Sequence, residues 1–310
     1  MASTVVISDT HFGLTSATLA NPKKVDRLIS EIWRYGEGCD QVVLLGDIFD
    51  FWRSRPETAI RDSIYLFKRL SELDIEINYV VGNHDHHMAV MSQESEFLER
   101  IARGDIYPVY IPSMRWRQTI NGLRINTFYP ICSANLSGRR VLFTHGHHLN
   151  GIGSIYIQWE RLRRLSGAEI SPADMEMMMT CAYEGIYRSS YIGEMAGLEE
   201  RIWSASSAFG KVKTGILRKS IPIDSQYEAI MRFIKERHLG QVDCFVYGDT
   251  HRPGICRMDG LVAMNAGSFT HDAGRLLEKS ITDTFLVIGS DGMVLRQLEK
   301  QNPLCKMDYS

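Results

Sequence analysis

The sequence predicts an α/β fold: a largely parallel β-sheet with helices on both faces, and a second, more antiparallel sheet stacked on it. Three observations predict it. Short β-branched runs alternate with helix-period segments through the first third of the chain, which is the pattern of successive β-α units. A hairpin signal and further strand-like runs follow, on either side of a long helix-period region. Polar residues able to do chemistry stand directly after the apolar runs, at the carboxyl ends of strands, where open α/β sheets bind ligands.

Thr4–Ile7 is a β-branched run and reads as a buried strand. Asn21-Pro22 starts a helix on which Val25, Leu28, Ile29, Ile32 and Trp33 recur at helical spacing, and Gly36 or Gly38 ends it. Gln41–Leu45 is a second strand. Thr58–Leu73 is a helix with Ile60, Ile64, Phe67 and Leu70 on one face. Ile75–Val81 is a third strand and Ser92–Ala102 a third helix. Gln118–Asn126 carries Asn121-Gly122 between alternating residues, a type I′ hairpin signal assigned to the second sheet. Arg140–Thr144 is a strand leading into His145.

From 149 to 240 the period is helical, with Ile152, Ile155, Tyr156, Trp159, Leu162 and Leu165 in one stripe. Ser171-Pro172-Ala173-Asp174 reads as an N-cap with proline at the first helical position, and Asp224 as the cap of a last helix. The expected organisation is a core of 1–148 and 241–310 interrupted by a helical insert at 149–240. The core resumes with the strand Val242–Tyr247, and Gly289-Ser290-Asp291-Gly292 marks a hairpin; the tail from Gln301 is expected to be loose.

Composition excludes some function classes. The chain has 310 residues, 35 Lys+Arg against 37 Asp+Glu, and a formal net charge of -2, so it is not a globally basic nucleic-acid binder. Its six cysteines are scattered without a C-x-x-C pair, which argues against a disulfide framework or a thiolate zinc site and for reduced thiols in a cytoplasmic protein. Met1–Thr4 has no basic region and Val5–Ile7 is too short for a signal sequence. No apolar run reaches the roughly 18 residues of a spanning helix. The expectation is a cytoplasmic protein without an integral membrane segment; peripheral membrane contact stays open.

Five loops carry the chemistry: Ser8-Asp9-Thr10-His11, Gly46-Asp47-Ile48-Phe49-Asp50, Gly82-Asn83-His84-Asp85, His145-Gly146-His147-His148 and Gly248-Asp249-Thr250-His251. Two metal ions held roughly 3.5–4 Å apart can clamp a phosphoryl group and generate hydroxide at neutral pH. Such a centre needs several oxygen and nitrogen ligands, a bridging carboxylate and a proton donor for the leaving oxygen. Asp9, His11, Asp47, Asn83, His145, Asp249 and His251 supply the ligands, with His84 and Asp50 left over. Any one of these loops is weak support, because a lone histidine after a strand is more often a hydrogen-bonded loop residue. Five in succession, each after a β-like run, point to one metal centre.

The set D-x-H, G-D-x-x-D, G-N-H-D, H-G and G-x-x-H resembles the calcineurin-like metallophosphoesterases, and Asn265-Ala266-Gly267-Ser268 is similar to an N-x-G-S segment of that fold. The resemblance implies a four-layer sandwich of two stacked mixed sheets flanked by helices. It implies that Asp9, His11, Asp47 and His251 bind a first metal, and that Asp47, Asn83, His145 and Asp249 bind a second, with Asp47 bridging. A metal-bridging hydroxide would attack phosphorus, His84 would protonate the leaving oxygen, and Asp50 would hold the His84 ring. One departure stands out: the family usually has histidine where this chain has Asp249. A carboxylate is the harder donor, so of two divalent ions Mn²⁺ is favoured, with Mg²⁺, Fe and Zn²⁺ as alternatives; a weakened second site is the other outcome.

Gly46–Arg53, together with the helical insert, looks like the branch that contains the UDP-2,3-diacylglucosamine pyrophosphohydrolases, in which the insert forms a lid over a lipid-bearing nucleotide sugar. The established enzymes of that branch usually carry Arg where this chain has His84. Arg53, His147, Arg161 and Arg164 are the candidate substrate contacts; His148 stays open between substrate and loop roles, and His86 and His87 read as polar loop residues. The expected function is hydrolysis of a phosphate ester or nucleotide-linked pyrophosphate on a phosphorylated small-molecule or lipid-linked substrate. The alternatives are a phosphodiesterase or nuclease, and a non-catalytic scaffold that retains the fold.

Overall fold

The computed structural model describes residues 3–34, 39–104, 114–120, 122–149, 164–167, 171–189, 226–271 and 281–309. In chain order these form β1 (Ser3–Ile7), α1 (Pro22–Arg34), β2 (Cys39–Leu45), α2 (Pro56–Ser71), β3 (Glu76–Val80), α3 (His87–Ala102), β4 (Met114–Ile120), β5 (Leu123–Tyr129), β6 (Ile131–Leu136) and β7 (Arg139–Thr144). Then come α4 (Pro172–Arg188), α5 (Tyr227–Glu236), β8 (Cys244–Tyr247), β9 (Gly254–Met258), β10 (Leu261–Asn265), β11 (Thr284–Ile288), β12 (Gly292–Gln297) and β13 (Cys305–Asp308).

Two mixed sheets result. The larger runs β13-β12-β11-β1-β2-β3-β5-β4, and its centre, β1-β2-β3-β5, is parallel. The smaller runs β6-β7-β8-β10-β9, with β7-β8 and β8-β10 parallel. Strand residues alternate between two cores, as period-two side chains must. Val5 and Ile7 of β1, Val42 and Leu44 of β2, and Ile77 and Tyr79 of β3 face α1 and α2. Val6, Val43, Leu45 and Val80 face Phe143 and Val246 of the other sheet. Burial on both faces explains why these strands read as continuous apolar runs. The α5 residues Ile230, Phe233 and Ile234 pack on Phe245 and Tyr247, so the order of layers is helices, sheet, sheet, helix.

Helix starts follow the capping signals. Asn21 Oδ1 accepts from the Lys23 N–H at 3.0 Å just before Pro22. Ser171 and Asp174 form a reciprocal capping box at the start of α4. Among the described residues no helix is long and apolar enough to cross a membrane.

Several expectations are corrected. The 118–126 hairpin exists, but β4 and β5 extend the first sheet, because β5 pairs in parallel with β3. The third helix begins at His87 rather than Ser92. Trp33 is 61% exposed and Ile64 47% exposed, while Ala59, Ser63, Leu66, Phe67 and Leu70 form the buried face of α2. The tail is ordered as β13, paired with β12. The 149–240 stripe, apart from Leu165, and the Asp224 cap lie outside the described residues; Leu165 is exposed.

Candidate metal centre

Parallel pairing of β1 with β2 continues past both strand ends. The backbone N–H of Asp9 donates to Gly46 O at 3.1 Å, that of His11 to Asp47 O at 2.9 Å, and that of Phe12 to Ile48 O at 2.9 Å. This zipper sets Asp9 and His11 against Asp47. The next loop is fixed by Asp85, whose buried carboxylate accepts from Gly82 N at 2.7 Å and Ile48 N at 2.7 Å. Across the sandwich, Gly248 N donates to His145 O at 2.8 Å. Asn265 Nδ2 donates to Gly248 O and Thr250 Oγ1, both at 2.9 Å, so the N-x-G-S segment props the 248–251 loop.

Backbone and packing are specialised here. Asp9, His11, Asp47, Asp249 and His251 all have φ between 46° and 61°. That left-handed region costs a non-glycine residue about 1–3 kcal/mol and clusters at functional sites. A Cβ at Gly82 would lie 2.3 Å from Asp47 Oδ1, and one at Gly248 would lie 2.5 Å from Asp9 Oδ2. Glycine is needed at both for close approach to a carboxylate.

The donor atoms converge. His251 Nε2 is 3.2 Å from Asp9 Oδ1 and 3.2 Å from His11 Nε2; His11 Nε2 is 3.7 Å from Asp47 Oδ2. His145 Nε2 is 3.2 Å from Asp47 Oδ2 and 3.7 Å from Asp249 Oδ1. The outer ring nitrogens are spoken for: His11 Nδ1 bonds to Asp50 Oδ2 at 3.0 Å and His145 Nδ1 to Leu45 O at 2.9 Å. That fixes both rings with Nε2 facing inward, the arrangement of a ligand imidazole and its supporting partner. Asp9 Oδ1, Asn83 Oδ1, His145 Nε2 and Asp249 Oδ2 are buried without a hydrogen-bond partner among the described residues. Buried polar atoms in that state are costly. Oxygen and imidazole donors lie at the spacing a divalent cation bridges, so the residues fit such ions.

The field agrees with the geometry. Burial opposes ionisation of Asp47, but His145, His84 and His11 together hold its carboxyl below the usual range. Burial likewise opposes charge on His145, yet Asp47 and Asp9 outweigh it and raise its pKa. Asp249 is pushed up to about 6, chiefly by burial. Two groups of donors each lie within 4.8 Å, Asp9-His11-His251 and Asp9-Asp47-His145; a third, His11-Asp50-His84, is a carboxylate supporting two rings.

His84 stands at the rim. Its Nδ1 is 3.0 Å from Asp50 Oδ2, and its ring stacks on Trp52 at 4.2 Å. Burial lowers its pKa, but Asp50 and Asp47 outweigh this and the net shift is upward. Arg53 closes on the same carboxylate, with Nη2 at 2.7 Å and Nε at 3.0 Å from Asp50 Oδ2. His147 is buried, its ring 5.6 Å from that of His145. Arg164 is exposed, and Arg161 lies outside the described residues. Sequence reasoning missed Asp85, Trp52 and the α4 residues Glu176 and Tyr183. Asp85 was visible as the last residue of G-N-H-D and Trp52 within the Gly46–Arg53 stretch; Glu176 and Tyr183 had no sequence signal.

A two-sheet α/β sandwich whose strand-end loops converge carboxylates and imidazoles has the donors to hold divalent cations where open α/β sheets bind ligands. Residues 2–253 match the family model for calcineurin-like phosphoesterases, and the chain belongs to that family. No curated protein matches the sequence. Among solved structures it is similar to the phosphoesterase YfcE from E. coli, at 13% identity and TM-score 0.41, covering 99% of this chain and 100% of that one. It is similar to a dimetal phosphatase from Danio rerio, at 14% identity and TM-score 0.45, covering 100% and 99%. It is also similar to Vps29 complexed with zinc from Entamoeba histolytica, at 14% identity and TM-score 0.43, covering 99% and 99%.

Proposed function

We propose that this protein is a two-metal phosphohydrolase that cleaves a phosphate ester or a nucleotide-linked pyrophosphate. The observation that carries the reading is the convergence of buried carboxylate, amide and imidazole donors beside a histidine held by Asp50. Asp9, His11, Asp47 and His251 would hold one cation, and Asp47, Asn83, His145 and Asp249 the other. Divalent ions there supply Lewis acidity toward a phosphoryl oxygen and a nucleophile at neutral pH. The oxygen-rich donor set favours Mn²⁺.

His84 moves the proton. With Nδ1 toward Asp50, Nε2 would face the leaving oxygen, and the carboxylates of Asp50 and Asp47 favour the charged ring. Trp52 covers one face of that ring. Arg53, which pairs with Asp50, is with His147, Arg161 and Arg164 a proposed contact to substrate phosphate. The aromatic and methionine side chains of α4 beside Trp52 favour a bulky leaving group, and a UDP-linked lipid substrate is the version that the branch resemblance adds. In this reading α4 belongs to the capping insert, while α5 serves the core as its outer layer. A cytoplasmic location is part of the proposal.

Replacing His84 with alanine tests the proton donor. Turnover of a substrate with a poor alkoxide leaving group should fall about 10²–10⁴-fold. An activated aryl phosphate, whose leaving group needs no proton, should lose far less. Full activity of the variant on the alkyl substrate contradicts the assignment.

A further inference from the structure

The mechanism leaves a second buried polar cluster unused. Glu176, on α4, is 2% exposed, yet it meets three separate parts of the core. His148 Nε2 lies 2.9 Å from its Oε1, the Tyr129 hydroxyl donates to Oε2 at 2.8 Å, and the Arg237 guanidinium pairs with Oε1. Burial opposes its charge, but His148 and Arg237 hold its carboxyl down at about 2. The same helix face continues at four-residue steps, the helical repeat. Thr180 Oγ1 is 3.4 Å from His86 Nε2, and Glu184 accepts from His87 Nδ1 at 3.0 Å. The histidines left over from the metal motifs therefore meet one stripe of α4.

The neighbouring stripe is apolar. Met175, Met179 and Tyr183 are buried and pack against Trp52, with the Tyr183 and Trp52 ring centroids 5.5 Å apart. Trp52 in turn stacks on His84. A continuous path of contacts runs from the Glu176 anchor, through one helix, to the face of the proton donor.

We propose that Glu176 is a positioning residue that sets the substrate specificity of this site: by fixing α4 across His148, Tyr129 and Arg237 it holds the Met179-Tyr183-Trp52 wall beside His84, against which a bulky leaving group packs. This rests on the phosphohydrolase reading. A truncated anchor leaves the wall free to shift, so binding energy from the remote part of a large substrate is lost while a small phosphate ester, which does not reach the wall, is spared.

The test compares Glu176→Gln with wild type on a UDP-linked pyrophosphate and on glycerol 3-phosphate, both with Mn²⁺. The ratio of the two kcat/KM values should fall about tenfold, mainly through KM for the larger substrate. Amide hydrogen exchange in Pro172–Arg188 should quicken while β1 and β2 stay protected. If both activities fall in parallel, or the ratio and the exchange do not change, the proposal is overturned. Should Glu176→Gln fail to fold, Tyr129→Phe, which removes one donor and no charge, is put to the same comparison; an unchanged ratio there overturns it equally. A folded, Mn²⁺-supplied wild type that cleaves neither substrate overturns the phosphohydrolase reading itself, whereas a wild type that cleaves both with an unaltered ratio in the variants overturns only the role of Glu176.

Discussion

Asp249 is a largely buried carboxyl whose pKa is pushed upward. Its carboxyl holds a proton up to about pH 6, where an ordinary aspartate has lost it near 3.8, because burial and the neighbouring Asp47 and Asp9 oppose its charge. A cation needs the ionised carboxylate and a neutral imidazole, so Mn²⁺ affinity on the Asn83-His145-Asp249 side should rise with pH through about 6 and go on rising as the His145 ring, whose pKa is raised, gives up its proton. For folding of the metal-free chain the sign reverses: stability contributed below 3.8 is lost as pH climbs toward 6. Calorimetric Mn²⁺ titrations on either side of that pH check the first statement, with two ions bound above it and fewer below. Asp249→His should also bind two ions at neutral pH. If two bind only in that variant, the assignment of Asp249 as a ligand is wrong. The candidate donors were legible as residues, since each stands in an ordered motif after an apolar run. The left-handed backbone at Asp9, His11, Asp47, Asp249 and His251 was not: none is glycine, and the surrounding fold imposes the conformation.

At the scale of elements, α2 shows where periodicity stops being decisive. Its apolar residues fall on two adjoining stripes, and counting from Ile60 and Ile64 selects the outer one. The face that meets the sheet is the one with small residues, Ala59 and Ser63, where close approach is possible, flanked by Leu66, Phe67 and Leu70. Leu66→Ala should cost about 2–5 kcal/mol by transfer and cavity terms, and Ile64→Ala no more than about 0.5 kcal/mol because nearly half its side chain is already in water. Urea unfolding of the two variants distinguishes them; equal costs contradict the burial described. The hairpin pair β4 and β5 shows the same limit. The turn was legible from its dipeptide, but its sheet was not, because membership depends on β5 pairing with β3 across distant sequence. The same holds for β13, whose short alternation gives little local signal and whose strand exists through pairing with β12.

Across the whole molecule, topology does the assembling. Parallel neighbours β1, β2 and β3 end at one edge of the first sheet, and β7 and β8 end beside them from the second, so five loops far apart in sequence meet. That convergence was legible because every motif follows an apolar run. The contact of α4 with the loops at 84–87 and 145–148 was not, since nothing in the spacing of Glu176, Thr180 and Glu184 names their partners. In the proposed function this convergence makes phosphoryl chemistry depend on bound cations, which is checked by stripping the protein of metal and titrating Mn²⁺ back while following hydrolysis of monoester, diester and UDP-linked pyrophosphate substrates. Turnover should vanish after stripping and recover to saturation near two ions per chain, with no recovery in Asp47→Asn. Turnover that survives complete metal removal, or a folded and Mn²⁺-loaded protein that cleaves none of the three substrates, contradicts the proposed function.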